Sequence, residues 1–311
     1  MTKLVCCVAA QNIHWVLDRI AKEVGSRFSE DTLYCYDLYN IPQAEHYFVT
    51  HYSLLPRVLG KVNPVMSKVH CFFTHESVPV ASLVHAMNLC ASVICENEVE
   101  FKRLIAYGIN PSILHMVPEG ANPEMFKPHA RTGEGSILIS SACYPRKNPE
   151  LLKSVINLLP NRKFILVGKD WKNLPSNVEY HENFVYESYP GKYSYCDIFL
   201  SCATLEGGGP AGLIEAMHAN LVPVVSDTGN AHEYITNGYN GFIFPINENP
   251  EEIVKLIEKS YTLSPQNTMP YNDIWQTVRQ FTWDAYALQM KEIMLQDYSK
   301  TTSQNLDFLD E

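Results

Sequence analysis

The sequence predicts an α/β protein of two domains, each built from a parallel sheet with helices on its faces. Short apolar runs of strand length alternate with helical patterns along the chain, which is typical of successive β-α-β units. A chain of 311 residues, 46% of them hydrophobic, is long and apolar enough to bury two ordinary cores. A polar stretch with two glycines, residues 129–135, lies between the two halves and predicts a linker.

The first half of the chain, which we place at residues 1–128, starts with a β-α unit. Apolar runs predict strands at 3–10, 32–39, 46–49, 68–74 and 92–95, and helical spacing occurs at 15–24, 83–89 and 96–108. The strand at 68–74 leads directly into His75 and Glu76. Because ligands of open α/β sheets bind beyond the carboxyl ends of the strands, we expect these two side chains to lie at a crevice.

The second half, placed at residues 136–282, repeats the alternation. Strands are predicted at 137–141, 163–168, 178–185, 198–200 and from 222 onward, and helices at 149–159, 211–219, 250–259 and 281–294. The strand at 137–141 is followed by Arg146 and Lys147. Basic residues at such a turn either bind an anion or form an ordinary solvated surface.

Residues 196–217 place an apolar strand, the turn Gly207-Gly208-Gly209 and a helix start in direct succession. The glycines permit backbone conformations that other residues avoid, and Pro210 is suited to a first helical position. Free N–H groups at the helix start can bind a phosphate. Glu206 and Glu215 bracket this turn, and carboxylates accept hydrogen bonds from vicinal sugar hydroxyls. The pattern therefore indicates a nucleotide-sugar site, the alternative being a plain glycine-rich turn.

Three segments carry a family resemblance: EGGGPAGLIEAM at 206–217, VPVVSDTGNAHE at 222–233 and NGYNGFIFP at 237–245. They resemble the C-terminal half of the family 4 glycosyltransferases, retaining enzymes with the GT-B fold. The resemblance implies two Rossmann-like domains with an interdomain cleft: an acceptor-side domain at 1–128 and a nucleotide-sugar-binding domain at 136–282. It also implies that a terminal helix, 283–298, returns to the first domain, which leaves 299–311 as a polar tail.

The same resemblance implies roles for individual residues. Glu206 would contact the hydroxyls of the donor sugar, and Glu215 those of the ribose. His75, with His51 as the weaker candidate, would face the donor sugar as a second catalytic residue. The nucleotide base would lie near Phe184 and Val185. The remaining residues would bind the donor diphosphate: Arg146, Lys147 and the main chain of Gly208, Gly209, Ala211, Gly212 and Leu213.

The sequence departs from the family pattern in three places. The two glutamates are one residue further apart than usual, and Ala142 stands where we would align a diphosphate-binding arginine. The loop at residues 10–14 lacks the usual glycine pair. Its polar side chains Gln11, Asn12 and His14 either take over those contacts or belong to an ordinary polar loop.

We therefore expect a metal-independent transfer of a sugar, with retention, from a UDP- or GDP-sugar to a sugar, glycan or other hydroxyl acceptor. No Asp-x-Asp motif suggests a metal site, and no further cofactor is expected. The alternatives are a nucleotide-sugar 2-epimerase of the same fold, which would convert the donor alone, and a non-catalytic nucleotide-sugar-binding subunit. The glycine-free first loop and Ala142 favour the second alternative.

Composition limits the remaining possibilities. A formal net charge of −10 argues against a nucleic-acid-binding surface, which needs clustered Lys and Arg. Nine cysteines without a C-x-x-C pair are expected to be buried small hydrophobes in a reducing compartment. The sequence has neither a signal-peptide pattern nor an apolar run long enough to span a membrane, so we expect a cytoplasmic protein. The sequence predicts no oligomeric state.

Overall fold

The computed structural model of the chain describes residues 3–9, 16–28, 31–63, 65–182, 186–207, 212–262 and 273–295. Within these ranges the chain forms two six-stranded sheets, and every strand pairs in parallel with its neighbours. Parallel sheets are covered by helices on both faces, so their central strands are mostly apolar. The predicted α/β class with two parallel sheets is confirmed.

The first sheet has the strand order β2-β1-β3-β4-β5-β6. Its strands are β1 Lys3–Val8, β2 Thr32–Cys35, β3 Ala44–Val49, β4 Lys68–Phe72, β5 Ser92–Cys95 and β6 Leu114–Met116. Its helices are α1 Val16–Phe28, α2 Leu55–Leu59, α3 Val84–Asn88 and α4 Glu98–Ala106. In α1 the buried residues Leu17, Ile20, Ala21 and Val24 recur at helical spacing, so one stripe of the helix packs on the sheet.

The second sheet has the order β12-β11-β10-β7-β8-β9. Its strands are β7 Ser136–Ser140, β8 Phe164–Gly168, β9 Val178–Glu182, β10 Cys196–Ser201, β11 Val222–Ser226 and β12 Phe242–Phe244. The helices of this half are α5 Pro149–Leu158, α6 Pro190–Tyr193, α7 Leu213–His218, α8 Ala231–Tyr234, α9 Pro250–Thr262, α10 Asp273–Val278 and α11 Trp283–Leu295. The chain reverses its winding direction between β7 and β10. In such sheets the crevice at this switch point binds the ligand.

Several predicted elements differ from the structure in length. The strand expected at 32–39 ends at Cys35, because the Asp37 carboxylate accepts hydrogen bonds from the Tyr39 N–H and the Asn40 side chain, at 2.9 and 2.7 Å. These bonds form a turn that competes with the strand. The helix expected at 211–219 is shorter, Leu213–His218.

Helix α11 packs against α1 and onto the first sheet. Its residues Trp283, Tyr286, Met290 and Met294 belong to the same buried cluster as residues of β1, β3 and β4. At the rim, the Arg27 guanidinium of α1 pairs with the Asp284 carboxylate at 2.5 Å. The end of the chain therefore contributes to the core of the first half. Residues 296–311, which include the predicted polar tail, lie outside the described ranges.

All nine cysteines are described, and eight of them are buried; Cys143 is partly exposed. Burial raises the pKa of the Cys6, Cys90 and Cys95 thiols to about 12, which keeps these groups protonated at neutral pH. The predicted burial is thus found for all but one. Within the described ranges, no helix has the length and apolar character needed to cross a membrane.

A row of histidines crosses one face of the first sheet. A ring nitrogen of His70, on β4, lies 3.1 Å from His46 on β3, and the other lies 2.8 Å from the Ser92 hydroxyl on β5. Burial lowers the pKa of His70 well below 6.5, and His46, Lys68 and His115 lower it further. The native state therefore holds His70 neutral, whereas the unfolded chain takes up a proton near pH 6.5.

This row makes stability depend on pH. Because the native pKa of His70 is depressed, its neutral-state contribution is present above about pH 6.5 and is lost as the pH falls below it. We expect His70→Gln, which retains hydrogen-bonding groups but does not titrate, to flatten the fall in unfolding free energy between pH 7.5 and 5.5. Urea unfolding across this range tests the expectation. Parallel pH profiles for both proteins would contradict it.

Candidate active site

Two basic residues and one acid meet at the switch point of the second sheet. The chain leaving β7 forms a short 3₁₀ turn, Pro145–Lys147, and the chain leaving the neighbouring strand β10 brings Glu206 alongside. The Arg146 guanidinium donates to Glu206 Oε2 at 2.6 Å and to the Leu205 carbonyl at 3.1 Å. The Lys147 ammonium donates to Glu206 Oε1. The structure thus brings together three of the residues that the sequence singled out.

Two members of this cluster are almost closed to solvent: Lys147 is 7% exposed and Glu206 is 6% exposed, whereas the Arg146 side chain is 31% exposed. Burial lowers the pKa of Lys147, while Glu206 raises it and Arg146 lowers it further; the net direction is down. Charges this deeply buried depend on their partners, because removing one partner of a buried pair leaves an uncompensated charge. An anionic ligand at this point would find two cations already held in place.

The first domain faces this cluster through His75, which follows β4. Burial lowers the pKa of His75 to about 4, with the charges of Arg146 and Lys147 as the next causes. His75 is therefore a neutral imidazole at neutral pH. His51 also has a pKa lowered to about 4, and its ring nitrogens contact Ser53 and Ser77 of its own domain. Of the two histidines, His75 is the one whose pKa is lowered by the cations of the second domain.

Glu215 lies on α7 and is 3% exposed. Its Oε1 accepts from the Tyr186 hydroxyl at 2.7 Å and from the Arg19 guanidinium at 3.0 Å, and its Oε2 accepts from the Tyr193 hydroxyl at 3.2 Å. Arg19 comes from α1 of the first domain, so this contact spans the two domains. Arg19 Nη2 also reaches the Glu119 carboxylate at 3.5 Å.

The sequence analysis did not identify Arg19, Glu119, Tyr186 or Tyr193. Arg19 and Glu215 are 196 positions apart, and no spacing pattern connects them. Tyr193 had one local signal: it precedes β10 in a tyrosine-rich stretch. Its hydroxyl fills the space under Gly212, where an added Cβ would lie 2.6 Å away. Gly212 also has a φ of +92°, a conformation that favours glycine.

The domains pack closely at Gly207. A Cβ added there would lie 2.4 Å from the main chain of Thr74, so only glycine fits. Asn97, two residues after the end of β5, donates from its side-chain amide to the Gly207 carbonyl at 2.5 Å. The same amide accepts from the Glu100 N–H at 2.8 Å, which caps α4. Gly207 is thus held against the first domain.

Asn97 allows the interdomain bond to be tested apart from the helix cap. Asn97→Ser keeps an oxygen for the cap but removes the amide donor to Gly207, whereas Asn97→Ala removes both. We expect Asn97→Ala to lower the unfolding free energy by about 1 kcal/mol more than Asn97→Ser, since that is the usual contribution of a cap, and the loss in Asn97→Ser reports the bond to Gly207. Denaturant unfolding of both variants measures the two losses. Equal losses would show that the cap contributes nothing, and wild-type stability of Asn97→Ser would show that the interdomain bond contributes nothing.

Several predicted positions lie outside the described residues: Gly208, Gly209 and Ala211 of the glycine turn, Gln11, Asn12 and His14 of the first loop, and Phe184 and Val185 of the expected base pocket. Their assignments stay predictions. Leu213 is described and is the first residue of α7. Within the part of the chain that the structure describes, no three His, Cys, Asp or Glu side chains are grouped so that they could hold a metal ion.

The chain is similar to known glycosyltransferases. Residues 121–272 match the model of the family glycosyl transferases group 1. A curated relative is the UDP-Gal:alpha-D-GlcNAc-diphosphoundecaprenol alpha-1,3-galactosyltransferase of Escherichia coli, 23% identical over 258 residues. That match covers 68% of this chain and 66% of the relative, so the chain spans just under two thirds of the relative's length.

Solved structures share the whole fold at low sequence identity. Sucrose-phosphate synthase from Thermosynechococcus elongatus matches with a TM-score of 0.75 at 13% identity, over 97% of this chain and 100% of the other. HepE of Anabaena, solved in complex with UDP and glucose, matches with a TM-score of 0.68 at 13% identity, over 99% and 100%. Residues 121–272, just under half of the chain, thus resemble glycosyl transferases group 1, and the chain has the two-domain GT-B fold.

Proposed function

We propose that this protein is a retaining, metal-independent glycosyltransferase that moves a sugar from a nucleotide-sugar to an acceptor hydroxyl. The observation that carries the proposal is the cluster at the switch point, in which the buried Lys147 and Glu206 and the partly exposed Arg146 meet opposite His75 of the first domain. Among UDP- and GDP-sugars we favour a UDP-sugar, because the curated relative uses UDP-Gal by name and HepE was solved with UDP.

The cluster suits the charge change of the reaction. As the bond between sugar and phosphate stretches, the diphosphate leaves with additional negative charge, which fixed cations stabilise without reorganising. Arg146 offers a planar guanidinium that holds two phosphate oxygens, and Lys147 offers a compact ammonium. Both cations pair with Glu206 in the ligand-free protein. An arriving diphosphate therefore takes over the two cations from that carboxylate.

Glu206 is then free to accept hydrogen bonds from the hydroxyls of the donor sugar. We assign Glu206 to holding the donor sugar and not to nucleophilic attack, and we propose a same-face route in place of a covalent glycosyl-enzyme intermediate. In that route the leaving phosphate oxygen takes the proton of the acceptor hydroxyl. His75, neutral at working pH, orients the sugar by a hydrogen bond and does not donate a proton as a general acid.

A thermal-shift panel of UDP-, GDP- and ADP-sugars tests the donor assignment. A ligand present at 100 times its dissociation constant stabilises the native state by about 2.7 kcal/mol. The stabilising donor is then incubated with a panel of glycan and lipid-diphosphate-sugar acceptors, with and without EDTA, and the anomeric configuration of the product is read by NMR. Inversion or loss of activity in EDTA would refute the corresponding part of the proposal. If the protein converts the donor into its 2-epimer without an acceptor, the 2-epimerase alternative replaces the glycosyltransferase proposal.

A further inference from the structure

We propose that the Arg19 guanidinium occupies the place at Glu215 that the ribose of the nucleotide takes, and that ribose binding transfers it to Glu119. The inference rests on the proposed function, since it requires Glu215 to be the ribose acceptor. It makes Arg19, a residue of the first domain, one of the residues that set the affinity for the donor. Three observations support it: three donors already bond to Glu215, these donors are not packed equally firmly, and a second carboxylate lies beside Arg19.

The Glu215 carboxylate has too few free acceptor positions for both hydroxyls of a ribose. An ionised carboxylate offers about four acceptor positions. Tyr186, Tyr193 and Arg19 already take three of them, at 2.7, 3.2 and 3.0 Å. A ribose that donates from both the 2′- and the 3′-hydroxyl needs two positions, so one of the three present donors must leave. A nucleotide that donates from one hydroxyl needs only the remaining position.

The three donors differ in how firmly they are held. Tyr193 is 1% exposed, and its hydroxyl lies directly beneath Gly212. The ring of Tyr186 packs between Phe126 and Tyr189, with ring centroids 6.0 and 5.5 Å away. The Arg19 side chain is 23% exposed, and its guanidinium lies over the Tyr186 ring, 4.4 Å from the ring centroid. Because its long stem can swing while both tyrosine rings stay packed, Arg19 is the donor that can withdraw.

A second carboxylate is already within reach of the displaced guanidinium. Glu119 lies 3.5 Å from Arg19 Nη2, with Glu96 buried nearby. Burial raises the pKa of Glu119 to about 7, which Arg19 opposes and Glu215 reinforces. Moving the guanidinium closer to Glu119 favours the ionised carboxylate, so the charge of Arg19 keeps a partner after the exchange.

The exchange replaces an interdomain ion pair by bonds to the ligand. In the ligand-free protein, Arg19 connects α1 of the first domain to α7 of the second. Ribose binding must break this bond before Glu215 can accept both hydroxyls. Arg19 therefore weakens the binding of ribonucleotides and leaves the binding of a 2′-deoxynucleotide, which needs one acceptor position, almost unchanged.

Titration calorimetry at pH 8 with UDP and 2′-deoxy-UDP tests the proposal on the full chain. We expect Arg19→Met to bind UDP about tenfold more tightly than the wild-type protein, because no charged hydrogen bond at Glu215 must then be broken before the ribose binds. The affinity for 2′-deoxy-UDP should change much less. Glu119→Gln should act in the opposite direction and weaken UDP more than 2′-deoxy-UDP. Lys22→Met, on the outer side of the same helix, is the matched control for charge.

The ratio of the dissociation constants for UDP and 2′-deoxy-UDP decides the result. An equal change for both nucleotides in Arg19→Met, or a selective loss of UDP affinity, would overturn the proposal while leaving the proposed function standing. If Arg19→Met does not fold, Glu119→Gln alone decides, because an unchanged ratio there overturns the exchange. Failure of the wild-type protein to bind UDP, 2′-deoxy-UDP and GDP would instead remove the proposed function and this inference together.

Discussion

Lys147→Met is expected to reduce the rate of sugar transfer by about 10²- to 10³-fold, the usual effect of removing one donor that stabilises developing negative charge. The loss should appear mainly in kcat and less in the KM for the donor. The reason is that the charge on the leaving diphosphate grows toward the transition state, so the ammonium contributes most there. Steady-state kinetics with the donor identified by thermal shift measure both constants. Lys255→Met, at an exposed position of α9, is the control.

The same substitution should also lower stability, which must be separated from the effect on catalysis. Without Lys147, Glu206 is a buried carboxylate with Arg146 as its remaining cation. Breaking a buried pair by removing one partner typically costs about 3 to 5 kcal/mol. The double variant Lys147→Met with Glu206→Gln should regain much of the unfolding free energy but none of the activity. A double variant that recovers transfer would show that Lys147 acts only on stability.

The convergence of Lys147 and Glu206 follows from features visible in the sequence. Each residue lies in the loop that follows an apolar strand, and parallel strands end at the same edge of a sheet. The strand-turn-helix pattern allowed both side chains to lie at one crevice, and the family resemblance implied that they do. The pairing itself was not predicted, because it depends on which strands are neighbours. The order that puts β7 beside β10 is a property of the whole domain.

The contacts of Glu215 had no comparable signal. Arg19 belongs to a helix of the first domain, and its approach to Glu215 depends on how the two domains are oriented. Helical periodicity identifies which residues of α1 face its own sheet, but it gives no information about a neighbouring domain. The catalytic and donor-binding roles, the domain boundaries at 128 and 136, retention and a cytoplasmic location all stay predictions.

The linker between the two halves depends on one buried carboxylate. Asp197 on β10 is 4% exposed. It accepts hydrogen bonds from the N–H groups of Thr132, Gly133 and Gly135, at 3.1, 2.6 and 2.9 Å, and from the Thr132 hydroxyl at 3.0 Å. Gly135 packs so closely that an added Cβ would lie 2.5 Å from the carboxylate. The linker entering β7 is thus folded around the side chain of Asp197.

Asp197→Ala is expected to lower the unfolding free energy by about 3 kcal/mol or more, because it leaves several buried donors without an acceptor and a charged acceptor is the stronger kind. Asp197→Asn has the same shape as the wild-type side chain and retains one acceptor oxygen, so its unfolding free energy should fall by roughly half as much. Asp227→Ala, at an exposed carboxylate of the same domain, is the control and should change stability little. Denaturant unfolding measures all three variants.

Because the linker leads into β7, and β7 leads to Arg146 and Lys147, a loosened linker should also weaken nucleotide binding. Asp197→Ala with wild-type stability would show that solvent replaces the carboxylate, and that the strand alone positions the two cations.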